Sequence, residues 1–180
     1  MDLIVFFDSE IKSTGVIGDL GAVKEGTTPF HSGNKREFVN YVKGADFVCG
    51  HNIFNHDLKY TAELFDKSKE PVFIDTLYLS PLLFPRKPYH KLLKDDKLQT
   101  DELNNPLNDS MKARDLFYAE VNTFQNLPSK LKWIYCALLY DYKEFQGFFK
   151  YIGFKPYPLN GSSLKAEFEG KYVKTQILTL

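Results

Sequence analysis

Two carboxylates one residue apart, Asp8 and Glu10, have the type and spacing to hold a cation. They close the run Ile4-Val5-Phe6-Phe7-Asp8-Ser9-Glu10, whose consecutive large apolar residues read as a strand buried on both faces. Alternation along an extended chain puts Asp8 and Glu10 on one side, their Cα atoms about 6–7 Å apart. Two acids that close repel each other unless a cation sits between them. A strand that simply runs out into a polar turn explains the same residues, so further acids matter. Asp57 follows the strand end Gly50-His51-Asn52 and opens a helix, and Asp109 stands in the first turn of a helix that begins near Pro106. Asp75 ends another strand. Taken singly, each of these three also fits a capping role, because acids favour helix N-termini.

The elements that position these acids follow from the pattern. After Glu10 a polar turn, Ile11 to Gly15, leads to a second strand, Val16 to Val23, with glycines suited to close backbone approach or a bulge. Thr27 to Ser32 reads as a third strand, and three strands joined by short turns form most simply an antiparallel meander. Asn34 caps a helix to about Lys43 with Phe38, Val39 and Val42 on one stripe, and Gly44 ends it. Asp46 to Asn52 is a short buried strand, His56 to Lys67 an amphipathic helix, and Pro71 to Thr76 a fifth strand. Asp75 or Thr76 then caps a helix over Leu77 to Leu83. Strand–helix alternation in this half implies right-handed crossovers and a parallel portion of sheet, so the fold class is α/β with a mixed sheet.

Pro85, Pro88 and the charged run Lys91 to Asp101 mark a long surface region before the Pro106 helix, which Leu127-Pro128 stops. Lys130 to Tyr142 and Glu144 to Tyr151 read as two more helices whose Trp133, Leu138, Leu139, Phe145, Phe148 and Phe149 need a partner surface. From Gly153 the chain is rich in Gly, Pro and Ser and reads as a linker. The expected organisation is one functional domain over 1–127, helices over 128–152 that pack on it or lead onward, and a tail over 153–180 of a longer protein.

The 23 Lys and Arg balance the 23 Asp and Glu, which argues against a tight non-specific DNA binder working by backbone electrostatics alone. An enzyme that meets phosphates through metal ions is compatible with that balance. Aromatic residues make up 16% of the chain, enough to serve either a core or base-stacking surfaces. Cys49 and Cys136 lie in apolar surroundings without metal-type spacing and read as buried free thiols of a reducing compartment. With no leader-like N-terminus, and no apolar run near the ~18 residues of a membrane span, the expected location is cytoplasmic.

The order of acids resembles the DEDD superfamily of 3′→5′ exonucleases, the DnaQ-like enzymes with a ribonuclease-H-like fold that include polymerase proofreading domains. Phe7-Asp8-Ser9-Glu10 is similar to the first motif. Gly50-His51-Asn52-Ile53-Phe54-Asn55-His56-Asp57 is similar to the second, in the form found in family-B polymerases, where an aromatic usually stands at the His56 position. Leu107-Asn108-Asp109-Ser110, with Ala113 and Leu116-Phe117, is similar to the third. The resemblance spans roughly residues 3–125. Lys94 to Leu98 and Asp101 to Pro106 are also similar to exonuclease-like domains at the N-terminus of some RecQ-type helicases, which implies a helicase in the same chain as a partner.

The resemblance implies a mixed five-stranded sheet flanked by helices and two Mg²⁺ or Mn²⁺ ions about 4 Å apart across the scissile phosphate. Asp8, Glu10 and Asp109 would hold the ion that activates water, Asp8 would bridge to the second, and Asp57 would bind the second or its waters. Lys12, Ser13 and Asn52 would contact the nucleic-acid strand, expected to be a single-stranded DNA 3′ end. One departure stands out. The family's general base is a His five residues, or a Tyr four residues, before the last Asp, where this chain has Asn104 and Asn105. Neither accepts a proton usefully near neutral pH. His90 is the first substitute, because it precedes the third motif and could fold over the site, and His56 beside Asp57 is the next. Loss of a general base costs about 10²–10⁴-fold, which predicts a slow enzyme rather than a dead one. Two other readings remain: a module that binds nucleic acid or a helicase without cutting, and an unrelated α/β protein whose acids lie scattered by more than about 12 Å, since two-metal sites are compact.

Overall fold

The computed structural model describes residues 2–92 and 105–155. It is an α/β structure built on a five-stranded mixed sheet of β1 (Ile4–Ile11), β2 (Ile17–Val23), β3 (Phe30–His31), β4 (Phe47–Gly50) and β5 (Val72–Asp75), in the spatial order β3-β2-β1-β4-β5. β1 pairs antiparallel with β2 and parallel with β4, and β4 pairs parallel with β5. The expected meander and parallel half are both present. The expected third strand shrinks to two residues. Pro29 immediately precedes it and has no N–H to give a ladder, so pairing begins at Phe30.

β1 is the centre of the sheet, and its two faces are separate cores. Ile4 and Phe6 join Phe47, Ile74, Leu79, Phe117, Phe124, Phe148 and Phe149 on one side. Val5 and Phe7 join Leu20, Phe38, Val42, Val48, Ile53 and Phe65 on the other. This is why the strand reads as unbroken hydrophobicity instead of alternation.

The helices are α1 (Lys35–Val42), α2 (Leu58–Thr61), α3 (Thr76–Leu83), α4 (Pro106–Gln125), α5 (Ser129–Leu139) and α6 (Lys143–Tyr151). Asn34 caps α1 by accepting from the Arg36 and Glu37 amides, and Asp75 caps α3 by accepting from Leu77. The helix expected over His56 to Lys67 stops at Thr61, followed by a 3-10 turn, Ala62–Leu64. Phe65 is then drawn into extended backbone and buried against Phe7, Phe38 and Phe73, so core packing overrides helical continuation. α6 lies on β5 at Gly147, where a Cβ would come within 2.0 Å of the Phe73 carbonyl oxygen. The expected buried free thiols, Cys49 and Cys136, are both buried and unbridged. No helix among the described residues is long and apolar enough to cross a membrane. Lys94 to Leu98, most of the Asp101 to Pro106 stretch, and the tail from 156 lie outside the described residues.

Candidate metal centre

Asp8 and Glu10 continue the stripe begun by Ile4 and Phe6, so the pleat aims both at the face covered by α4. Opposite Asp8 in the ladder stands Gly21. A Cβ there would lie 2.1 Å from the Leu107 nitrogen and 2.2 Å from the Pro106 carbonyl carbon. A side chain at Gly21 is therefore incompatible with the start of α4 in its observed place. Its absence lets the first turn of α4 rest on the strand and lowers Asp109 onto the β1 acids. Asp8, Glu10 and Asp109 are all half-buried, and one oxygen from each lies within 4.8 Å of the other two. Lys112, one turn further along, places Nζ 3.8 Å from the Asp109 carboxylate.

The N-terminus of α4 is tightly specified. Pro106 occupies the first turn, and the Asn105 side chain accepts from the Leu107 and Asn108 amides. Asn105, at one of the two positions where the resemblance expects a base, is thus a helix cap. Asn104 lies outside the described residues.

Asp57 stands apart from the other three expected ligands. It is 1% exposed, and its Oδ1 accepts from both the amide and the hydroxyl of Ser9. Ser9 lies between Asp8 and Glu10 in sequence, so its side chain alternates to the opposite face. β4 pairs with β1 only as far as Phe6, and beyond that point Asp57 satisfies the strand edge. Its Oδ2 lies 3.7 Å from His56 Nδ1. The neighbouring Asp57 carboxylate, with a smaller pull from Glu10, holds the half-exposed His56 above its ordinary pKa.

His90 does not stand among the acids. Its Nδ1 meets Ser80 Oγ at 2.9 Å on α3. Lys12 and Ser13 are exposed in the turn between β1 and β2. Asn52 adopts φ 66°, a left-handed conformation that Asn tolerates, and its amide donates to Asp75 Oδ1 at 2.7 Å. It forms the turn that carries the chain from β4 toward Asp57.

Two features were not found by sequence reasoning. Asp75 does more than cap α3, because it also accepts from the Asn52 and Phe54 amides and so ties the loop before Asp57 to the end of β5. Burial raises its pKa against the lowering effect of those amides. Only the parallel pairing Gly50↔Asp75 reveals this, and no local signal shows it. Asp19, directly opposite Glu10 and therefore on the same face, is held by His31 Nε2 at 2.7 Å. It surfaced only with the register. His51, pushed down to about 4 by burial, stays neutral, with Nδ1 at Thr76 Oγ1.

As a donor set, three convergent carboxylates suit a hard divalent cation, and like-charge repulsion makes one favourable. No protein-family model, curated protein or solved structure matches this chain.

Proposed function

We propose that this chain is a metal-dependent 3′→5′ exonuclease of DNA, with DEDD-type chemistry on a ribonuclease-H-like sheet. The observation that supports it is the convergence of Asp8, Glu10 and Asp109, 101 positions apart at the extremes, in the order the motif resemblance requires. Mg²⁺ or Mn²⁺ bound there would supply Lewis-acid activation of water and stabilise the leaving 3′ oxygen. The protein's part is positioning. Asp8 and Glu10 come from the central strand of the sheet, and Asp109 from a helix start pinned by Asn105, Pro106 and Gly21. Asp57 latches the Ser9 backbone and so fixes the direction of the flanking acids. His56 is the imidazole beside this arrangement, with Nδ1 toward Asp57 and its other ring nitrogen left to exchange a proton with water.

A silent module that binds nucleic acid or a helicase is favoured by one observation, the engagement of Asn105 in capping. Digestion of 5′-labelled single-stranded DNA with Mg²⁺ or Mn²⁺ separates the two readings. A ladder shortening from the 3′ end and lost in Asp8→Ala supports the enzyme, and a ladder weakened in His56→Ala places the base there. No ladder with either metal leaves the silent module.

A further inference from the structure

Beside the acids lies a pocket of about 500 Å³ between α3, the turn after it and α4. Lys87, Lys91 and Lys112 line it together with His90, and its apolar wall includes Tyr89, Leu92 and Leu116. None of the described residues lining it is acidic. In a chain with no net charge that is a marked local imbalance, and the clefts bordering α2 and the 3-10 turn lack it: they set their lysines beside Glu63, Asp66 or Glu70. Tyr89 is 77% exposed, a large aromatic surface held in water. Lys112 belongs both to this pocket and to the Asp109 pair, so the pocket opens beside the acid cluster.

We propose that this pocket is a nucleotide subsite, taking the base of a single-stranded polynucleotide against Tyr89, Leu92 and Leu116 and its phosphate on Lys87 and Lys91. The inference rests on the proposed function for its choice of occupant. Its size falls within the ordinary small-ligand range of about 300–1,000 Å³. Apolar surface beside lysines, with no acid in the lining, is the chemistry of single-strand binding by stacking and charge. The acids of the cluster repel phosphate wherever no cation screens them, so the lysines give the strand a second, metal-independent hold.

The test is fluorescence anisotropy of a labelled oligothymidylate on the full chain in EDTA. Its arms are wild type, the triple variant Lys87→Glu/Tyr89→Ala/Lys91→Glu, and Lys43→Glu at the far end of α1. All four substituted residues are exposed, so the fold is retained, and a matching circular dichroism melt verifies it. The triple variant should lose at least about tenfold in affinity. Its salt slope should fall by about 1.4, two phosphate contacts at about 0.7 each. Lys43→Glu should bind like wild type. Thymidine monophosphate should compete where inorganic phosphate at equal concentration does not.

Unchanged affinity in the triple variant, an equal loss in Lys43→Glu, or equal competition by phosphate each overturns the subsite. Hydrolysis that requires Asp8 but is indifferent to the triple variant sinks the subsite alone. Binding lost in the triple variant, with no hydrolysis in any metal, sinks the exonuclease and leaves the subsite standing.

Discussion

Asp8, inside β1, and Asp57, at the start of α2, are both acids beside the same stretch of β1, yet the fold treats them in opposite ways. Asp57 is buried, and the amide and hydroxyl of Ser9 occupy one of its oxygens. Asp75 is treated alike, with three amides converging on it. Asp8, by contrast, stands half-buried with Glu10 and Asp109, so that carboxylate faces carboxylate. The difference teaches that Asp57 and Asp75 join separate segments through backbone amides, whereas Asp8 is placed where two further acids converge. Along the edge of β1 that pairs with β4 the ladder ends at Phe6, and Asp57 takes up the Ser9 amide beyond it. On the face covered by α4, that helix brings a further acid to a strand that already carries two. One arrangement serves the fold, and the other makes sense with a cation.

The strongest way to break this comparison is to delete one acid of each kind. Asp8→Ala should reduce hydrolysis by at least about 10²–10³-fold and abolish Mn²⁺ binding by calorimetry, with little change in the melting temperature. Asp57→Ala should instead strand the buried Ser9 donors and cost about 1–3 kcal/mol in denaturant unfolding, with metal affinity falling less. A variant of Asp57 that melts like wild type but no longer binds metal would put Asp57 back among the ligands.

Gly21→Ala should injure both functions at once, because the added Cβ displaces the start of α4 from β2. The expected cost is about 1–3 kcal/mol, together with weaker Mn²⁺ binding. Normal metal affinity in that variant would show that Asp109 does not depend on this close approach.

Glu120 sharpens the comparison as a third kind of acid. It is fully buried on α4, neither oxygen has a hydrogen-bond partner, and burial, aided by the charge of Asp75, pushes its pKa up to about 9. From its ordinary value of 4.5 up to about 9, the unfolded chain releases this proton while the folded chain keeps it. Stability should therefore fall as pH rises through that window. Glu120→Gln should raise stability at pH 7 by about 1–3 kcal/mol and flatten the slope, as followed by melts at successive pH values. A slope unchanged by the substitution would mean that the carboxyl has found another partner.

The smallest effect belongs to His56. Its pKa is raised, so its ion pair with Asp57 stabilises below the ordinary value of 6.5 and is lost as pH rises through the raised one. With the side chain about half exposed, His56→Ala should cost only about a few tenths of a kcal/mol, and only on the acid side. A loss of stability equal at pH 5 and pH 9 would show that the ring acts by packing.

Much of this was legible from short-range pattern. The apolar run into Asp8, the caps Asn34 and Asp75, and Pro106 at the start of α4 each act through their immediate neighbours. Period-two alternation was enough to put Asp8 and Glu10 on one side. The early end of α2 was not legible, because Phe65 leaves the helix to fill a core assembled from β1, α1 and β5. Nor was the second duty of Asp75, which depends on a loop 21–23 residues away.

The sequence alone therefore determined the order and type of most elements, that Asp8 and Glu10 share one side of β1, and the mixed class of the sheet, because these follow from local backbone geometry and hydrophobic period. Tertiary structure alone decided which acids meet. Register set Gly21 opposite Asp8, the missing side chain let α4 close on the strand, and the early end of β4 turned Asp57 toward Ser9. Those outcomes depend on contacts between segments far apart in the chain, and no local spacing encodes which donor an acid will find.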